Sequence, residues 1–379
     1  MRKEYLLTPG PSQVPAEVLL RMAEPVFHHR TPRFMDMYKA LVEKLRKVFM
    51  TAADVLVFAS SGTGAMEASV VNLVPKGKKA LAIESGKFGE RWTEICRAFG
   101  VAHDVIQVEW GKAVNPDDVA AKLAADKDIV AVYATLVETS TGVEHPIKEL
   151  GAAVAKTGAI LVVDGISGAG ASELRVDDWN VDVLVVGSQK ALMLPPGLAV
   201  LTVGPKAKAL LEQVKNPPAY YFDLKAALKA AGKADTPYTP ALTLMLALDT
   251  AVSSLLEEGM ENVFKRHDKY ARAARAGMNA LGLAVYPERP ATALTAVLVP
   301  DGVDAEAVRK TAQKKYGAAL AGGQDKLKGV LIRMAHMGYV GPMDIVIGLA
   351  ALEMSLADHG VKAVPGAGVA AAEAVLREP

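Results

Sequence analysis

Between Asp54 and Val203, short runs of β-branched and apolar residues alternate with longer amphipathic stretches, and this alternation restricts the fold more than any other feature of the chain. Strands are predicted over 54–58, 79–83, 103–108, 129–133, 159–163, 181–186 and 198–203, and helices over 62–73, 88–99, 116–125 and 147–156. Runs such as Ile160-Leu161-Val162-Val163 are apolar at every position rather than at every second one. Strands of that kind are buried on both faces, and helices placed between them supply the cover. The pattern predicts an α/β fold with a mostly parallel sheet between helical layers.

After Tyr220 the order changes. A short helix over 225–231 and a turn at Thr236-Pro237-Tyr238-Thr239-Pro240 lead into a long helical region over 242–283, broken near Glu258-Gly259. A strand over 295–299, a helix over 304–316, a strand over 329–334 and a helix over 344–358 follow, and the Ala-rich tail reads as a terminal helix. This is the pattern of a smaller α+β domain. Upstream, Thr8-Pro9-Gly10-Pro11-Ser12 cannot form a regular element and is expected to be an arm lying on the body of the protein. Helices are expected over 15–22 and 34–50. The division expected is an arm over 1–20, a large domain over 21–245 and a small C-terminal domain over 246–379.

With 379 residues, 51% of them hydrophobic and 22% charged, the chain can bury a core of two-domain size. Lys+Arg is 43 and Asp+Glu is 42, so the net charge of +1 gives no sign of nucleic acid or an anionic membrane as a partner. A single cysteine, Cys96, rules out a disulfide within the chain and a Cys-rich metal site, and no metal is expected. No stretch has the roughly 20 apolar residues that span a bilayer, and no signal-peptide pattern is seen, so a cytoplasmic protein is expected.

Two of the predicted strands run into charge. One leads through Gly187-Ser188-Gln189 to Lys190, and another stops at Asp164. A buried strand that ends this way sets its charge at the edge of the sheet where α/β proteins bind ligands. A lysine there is ordinarily solvated, and an aspartate is ordinarily a helix cap. Here, however, Leu192-Met193-Leu194-Pro195-Pro196-Gly197 follows, which is apolar and stiff. Desolvation would then lower the pKa of Lys190 and leave a neutral amine able to attack an aldehyde. A lysine and an acid delivered together suit pyridoxal 5'-phosphate (PLP): the lysine forms a Schiff base, and the acid keeps the pyridine nitrogen protonated.

Four further features admit a binding role beside a structural one. Ser61-Gly62-Thr63-Gly64, between a strand and a helix, offers backbone N–H groups and hydroxyls to a phosphate. It is not a P-loop, because no Gly-Lys-Ser/Thr follows, and Glu67 replaces the third glycine of a dinucleotide fingerprint. Phe88, in Gly86-Lys87-Phe88-Gly89, is either a core residue or a ring stacked on a flat cofactor. Thr139 is either a turn residue or a hydrogen-bond donor to such a ring. Arg333, inside the apolar run Val330-Leu331-Ile332-Arg333-Met334, needs an anionic partner, either an internal acid or a substrate carboxylate.

Taken together these stretches resemble the class V aminotransferases of PLP fold type I, closest to the alanine–glyoxylate and serine–pyruvate (or serine–glyoxylate) enzymes. The matching stretches are Leu7-Thr8-Pro9-Gly10-Pro11-Ser12, Ser61-Gly62-Thr63-Gly64-Ala65-Met66-Glu67, Glu138-Thr139-Ser140-Thr141-Gly142-Val143, Val162-Val163-Asp164, Gly187-Ser188-Gln189-Lys190-Ala191-Leu192, Pro195-Pro196-Gly197 and Leu331-Ile332-Arg333-Met334. The resemblance implies a large PLP-binding domain with a seven-stranded type of sheet, plus the smaller α+β domain. It implies that Lys190 carries the cofactor and Asp164 pairs with its ring nitrogen. Phe88 would stack on the ring and Thr139 would approach its hydroxyl, while Ser61, Gly62, Thr63 and Gln189 would hold the phosphate. Arg333 would grip the substrate carboxylate, and Gly10, in the arm, would border the substrate. It further implies a homodimer with a shared active site, in which the partner subunit reaches the phosphate from the turn carrying Thr236 and Thr239.

The implied activity moves an amino group from alanine or serine to glyoxylate or pyruvate. Lys190 would shuttle the proton from the substrate's Cα as general acid/base, with ping-pong kinetics. A cysteine desulfurase-like lyase of the same class would need a mobile cysteine, and Cys96 falls in a predicted helix. A non-catalytic accessory subunit would not need Lys190 and Asp164. A nicotinamide dehydrogenase is disfavoured by the broken glycine fingerprint. Arg30 and His336 admit either a place near the pocket or a structural role.

Overall fold

The computed structural model describes residues 3–378. Its larger sheet has seven strands: β1 (Asp54–Phe58), β2 (Lys79–Glu84), β3 (His103–Gln107), β4 (Ile129–Thr135), β5 (Ile160–Asp164), β6 (Val183–Gly187) and β7 (Ala199–Val203). Their spatial order is β1-β7-β6-β5-β4-β2-β3. Only β7 runs against the rest, pairing antiparallel with both β1 and β6. The expected mostly parallel sheet is therefore present.

The absence of alternation in the strands has its reason in the two layers. Ile160 and Val162 face a layer containing Met66, Leu73 and Trp92, from α1 (Gly62–Leu73) and α2 (Lys87–Ala98). Leu161 and Val163 face the opposite layer, with Leu41, Leu150 and Leu246 from three other helices. Successive residues of a strand point to opposite faces, so covering both faces requires apolar residues throughout.

The second sheet is built from Ala284–Val285, Leu294–Leu298, Leu331–Ala335 and Ala321–Gly322, in that spatial order and antiparallel throughout. The long helical region divides into Leu242–Glu258 and Met260–Ala280 around Gly259, whose φ of +83° suits glycine. Several two-residue strands, among them Tyr5–Leu6 and the Val137–Glu138/Val143–Glu144 pair, are too short to leave a periodic signal in the sequence. No helix among the described residues is long and apolar enough to cross a membrane.

The N-terminal arm ties the second sheet to the first. Tyr5–Leu6 pairs in parallel with Ala318–Ala319, and the Leu7 carbonyl accepts from Ala335 N–H at 2.8 Å. Ser12 N–H then donates to the Gln189 carbonyl at 2.9 Å, and the Ser12 hydroxyl donates to the Lys190 carbonyl at 2.7 Å. Between these two attachments the arm passes over Lys190. Leu7, fully buried in a cluster with Met334 and Leu349, is the arm's apolar anchor. Replacing Leu7 by Ala is expected to cost about 2–5 kcal/mol of the arm's attachment. Limited proteolysis should then cut within the arm much faster than in the wild type; an unchanged cutting rate would mean that the backbone pairing alone holds it.

Candidate active site

The carboxyl ends of the parallel strands converge on one cavity of about 100 Å³, lined among others by Ser61, Gly62, Thr63, Phe88, Thr139, Asp164, Gln189 and Lys190. β1 leads to Ser61 and Gly62, β2 to Phe88, β4 to Thr139, β5 ends at Asp164, and β6 leads to Gln189 and Lys190. Larger hollows elsewhere on the surface hold none of these residues.

Lys190 is buried, and its ammonium donates to the Pro9 carbonyl of the arm. Gly10 lies so close that a Cβ there would collide with the lysine's own side chain. Burial pulls the Lys190 pKa down to about 8; Asp164 opposes this, while Arg333 and Arg91 add to it. The loop after the lysine is held back on itself. The Ser188 hydroxyl donates to the Pro195 carbonyl at 2.8 Å and accepts from Leu198 N–H at 3.1 Å. These bonds fix the Pro195-Pro196-Gly197 loop to the residue two positions before the lysine.

Asp164 is fully buried, with one carboxylate oxygen accepting from Ile166 N–H at 2.8 Å. Desolvation, with help from Glu138, raises its pKa to about 7, against the pull of that hydrogen bond, Arg91 and Lys190. A cation facing it would restore full ionisation. Phe88 is half-buried on the cavity wall. The Thr139 hydroxyl donates to Ser167 Oγ at 2.6 Å. At the opposite end, α1 begins at Gly62 with no side-chain cap from Ser61, and the buried Gln189 Oε1 has no hydrogen-bond partner.

Arg333 is buried beside this cavity. Nη1 donates to the Thr139 carbonyl at 2.7 Å, and Nε and Nη2 donate to the Gly322 carbonyl at 2.9 and 2.6 Å. Both partners are neutral carbonyls. Desolvation lowers its pKa to about 10, although Glu138 and Glu306 oppose the shift. A buried guanidinium bound only by carbonyls retains the charge and donors to take a carboxylate.

Thr236 and Thr239 do not line the cavity. The Thr236 hydroxyl is used locally, donating to the Tyr238 carbonyl at 2.8 Å, and Thr239 is exposed. Arg30 is bound to this same turn, pairing with Asp235 and donating to the Thr236 carbonyl at 2.9 Å. These bonds tie Arg30 to the turn. His336 is buried, with Nε2 against Thr295 Oγ1 at 2.9 Å and a pKa driven well below the usual histidine range by desolvation. Cys96 packs beside Trp92 and Tyr133, away from the cavity, and burial pushes its thiol up to about 12.

Glu138 is a residue whose part the strand-end argument does not reveal. Its buried carboxylate accepts from the backbone N–H of Phe88 (3.1 Å), Gly89 (2.9 Å) and Ser140 (3.1 Å), and from the Ser140 hydroxyl (2.5 Å). It caps α2 from another strand end and so fixes the Phe88 turn. Arg91 also lines the cavity, with its guanidinium 5.0 Å from the centre of the Phe88 ring. Its signal in the sequence was the three-residue spacing from Phe88, which puts both on one side of a helix.

The family model described as aminotransferase class-V matches residues 4–341. The chain belongs to the class V aminotransferases. It is 41% identical to a Synechococcus sp. (strain PCC 6716) protein named soluble hydrogenase, small subunit, over 99% of this chain and 98% of that one. It is 37% identical to the serine–glyoxylate aminotransferase of Methylorubrum extorquens, over 99% of this chain and 96% of that one. Among solved structures, ureidoglycine–glyoxylate aminotransferase from Bacillus subtilis superposes with a TM-score of 0.94 at 29% identity, covering 100% of this chain and 99% of that one. The architecture is thus that of the fold type I PLP-dependent enzymes, and PLP is the general cofactor of the family.

For this aminotransferase the amine of Lys190 provides a direct pH test. In cofactor-free protein, capture of pyridoxal by Lys190, followed by absorbance, should rise with pH around a midpoint near 8, because the neutral amine is the nucleophile. Asp164 raises the Lys190 pKa, so Asp164→Asn should move the midpoint lower still. A midpoint at the ordinary lysine value would contradict the desolvation account.

Proposed function

We propose that this aminotransferase uses PLP, held in the cavity beside Lys190, to move an amino group from a small amino acid to a small 2-oxo acid. Alanine or serine is the donor in this reading, and glyoxylate or pyruvate the acceptor. The observation that carries it is a buried lysine and a buried aspartate in one cavity with an uncapped helix start, next to a buried arginine that has no carboxylate partner among the described residues. The residues fit the cofactor on independent grounds. Gly62 has no room for a Cβ beside Ile166, and Asp164 lacks a full countercharge.

Bound PLP supplies an aldehyde that captures the substrate amine and a conjugated ring that takes up the electron pair left at Cα. The protein supplies the rest. Asp164, once ionised, keeps the ring nitrogen protonated. Phe88, its backbone fixed by Glu138, would stack on the ring, and Thr139 would hold its hydroxyl. Arg333 grips the substrate carboxylate through two N–H donors and so sets which bond at Cα is broken. Lys190 Nζ, its pKa lowered by burial, would take the Cα proton as general base and give it back as general acid. The arm at Pro9 and Gly10 excludes water from the lysine.

The reading includes a homodimer in which Thr236 and Thr239 reach the partner's phosphate. Three observations support it: Thr239 is exposed rather than directed to its own cavity, Arg30 holds the turn in place, and Leu20 (71% exposed), Val26 (69%) and Tyr220 (82%) leave large apolar side chains in solvent. The names of the relatives, which pair glyoxylate with serine or with ureidoglycine, support the acceptor. A lyase reading lacks its nucleophile, since Cys96 is buried, strongly protonated and outside the cavity. A non-catalytic role draws on the hydrogenase-subunit name of the Synechococcus protein; Lys190, Asp164 and Arg333, all buried at one site, support catalysis instead.

A panel of amino donors against glyoxylate and pyruvate tests the reading. The purified protein should sediment as a dimer of 39.9 kDa chains and show the absorbance of bound PLP, bleached by alanine or serine. Lys190→Ala should abolish turnover. Arg333→Gln should lower kcat/KM for every donor about 10- to 100-fold, the worth of hydrogen bonds to a charged group. Wild-type rates in Lys190→Ala, or protein that takes up no PLP, would contradict it.

A further inference from the structure

The set of residues read as holding the cofactor phosphate is electrically neutral. Ser61, Gly62, Thr63 and Gln189 offer hydroxyls, amides and a carboxamide but no full positive charge. A phosphate dianion taken out of water into such a site needs a countercharge, because an unpaired buried charge is strongly unfavourable. Lys190 does not provide it in this reading, since it holds the cofactor at the aldehyde end. Arg333 is bound to Thr139 and Gly322 and serves the substrate.

Arg91 is the remaining cation on the cavity wall. It projects from α2, and its Nη1 donates to Thr63 Oγ1 at 3.3 Å, a long hydrogen bond to a residue of the phosphate turn itself. No carboxylate pairs with it among the described residues; its other neighbour is the Phe88 ring. Its charge reaches the rest of the cavity, lowering the pKa values of both Asp164 and Lys190. An arginine without an acid partner, in contact with the phosphate turn, is placed as an anion ligand.

We propose that Arg91 is the cationic contact for the cofactor phosphate, supplied by this chain's own α2 rather than by the partner subunit. The proposal rests on the PLP reading above. It also gives the Phe88 turn a second purpose, because one short stretch of α2 then carries both the stacked ring and the phosphate charge. Glu138, which fixes the start of that helix, becomes a positioning residue for both.

Pyridoxal separates the phosphate from the rest of the cofactor. Full-length protein stripped of cofactor with hydroxylamine is titrated with PLP and, separately, with pyridoxal, for the wild type, Arg91→Met and Arg91→Lys. Arg91→Met should weaken PLP binding about 10- to 100-fold, the worth of a charge-assisted hydrogen bond, and weaken pyridoxal binding far less. Arg91→Lys should recover part of the loss. Unchanged PLP affinity in Arg91→Met would overturn the proposal. So would an equal loss for PLP and pyridoxal, which would assign the arginine to packing against Phe88. Unchanged PLP affinity with a selective loss of dicarboxylic donors would move the arginine to the substrate and also overturn it. Wild-type protein that binds neither compound would instead sink the PLP reading itself.

Discussion

The site depends on a lysine amine buried where no acid neutralises it directly. The Lys190 ammonium meets only a carbonyl of the N-terminal arm, and Asp164 acts on it as a neighbouring charge rather than as a bonded partner. Desolvation favours the neutral amine, which is the form with a lone pair to offer. Each large element contributes to that condition. β6 carries the lysine to the sheet edge, and the arm, anchored by Leu7 against the second sheet, closes over it. The second sheet thus shields the lysine as well as carrying Arg333.

Charge at the site is unbalanced in a way that matches its ligands. Lys190, Arg91 and Arg333 are cationic, while Asp164 and Glu138 are acidic. Burial pulls Lys190 and Arg333 down and pushes Asp164 and Glu138 up. An anionic phosphate at one end and a substrate carboxylate at the other would supply the missing negative charge, and a protonated ring would supply the missing partner of Asp164. Ligands of the opposite charge would relieve the electrostatic cost of burying these groups.

Much of this was legible in the sequence because the sheet is covered on both sides. Fully apolar strands such as Ile160–Asp164 have distinct ends, and a charge at such an end is conspicuous. Lys190, Asp164, Phe88, Thr139 and the Ser61 turn are legible for that reason, and the structure brings them to one cavity. Gly259 punctuates the long helical region just as visibly. What was not legible depends on contacts between distant segments. Nothing local to Glu138 shows that its carboxylate caps α2, fifty residues upstream. The spacing of Arg91 from Phe88 does not show its contact with Thr63, which comes from a distant segment. The pairing of Tyr5–Leu6 with Ala318–Ala319 involves too few residues to leave any pattern.

The central claim is that Lys190, and no other lysine, carries the cofactor. Borohydride reduction of PLP-loaded protein, followed by digestion and mass spectrometry, would locate the attachment directly. The account predicts one pyridoxyl adduct, on the peptide containing Gln189-Lys190-Ala191, lost when the protein is first treated with alanine. An adduct concentrated on any other lysine, or no stable adduct after loading, would contradict it.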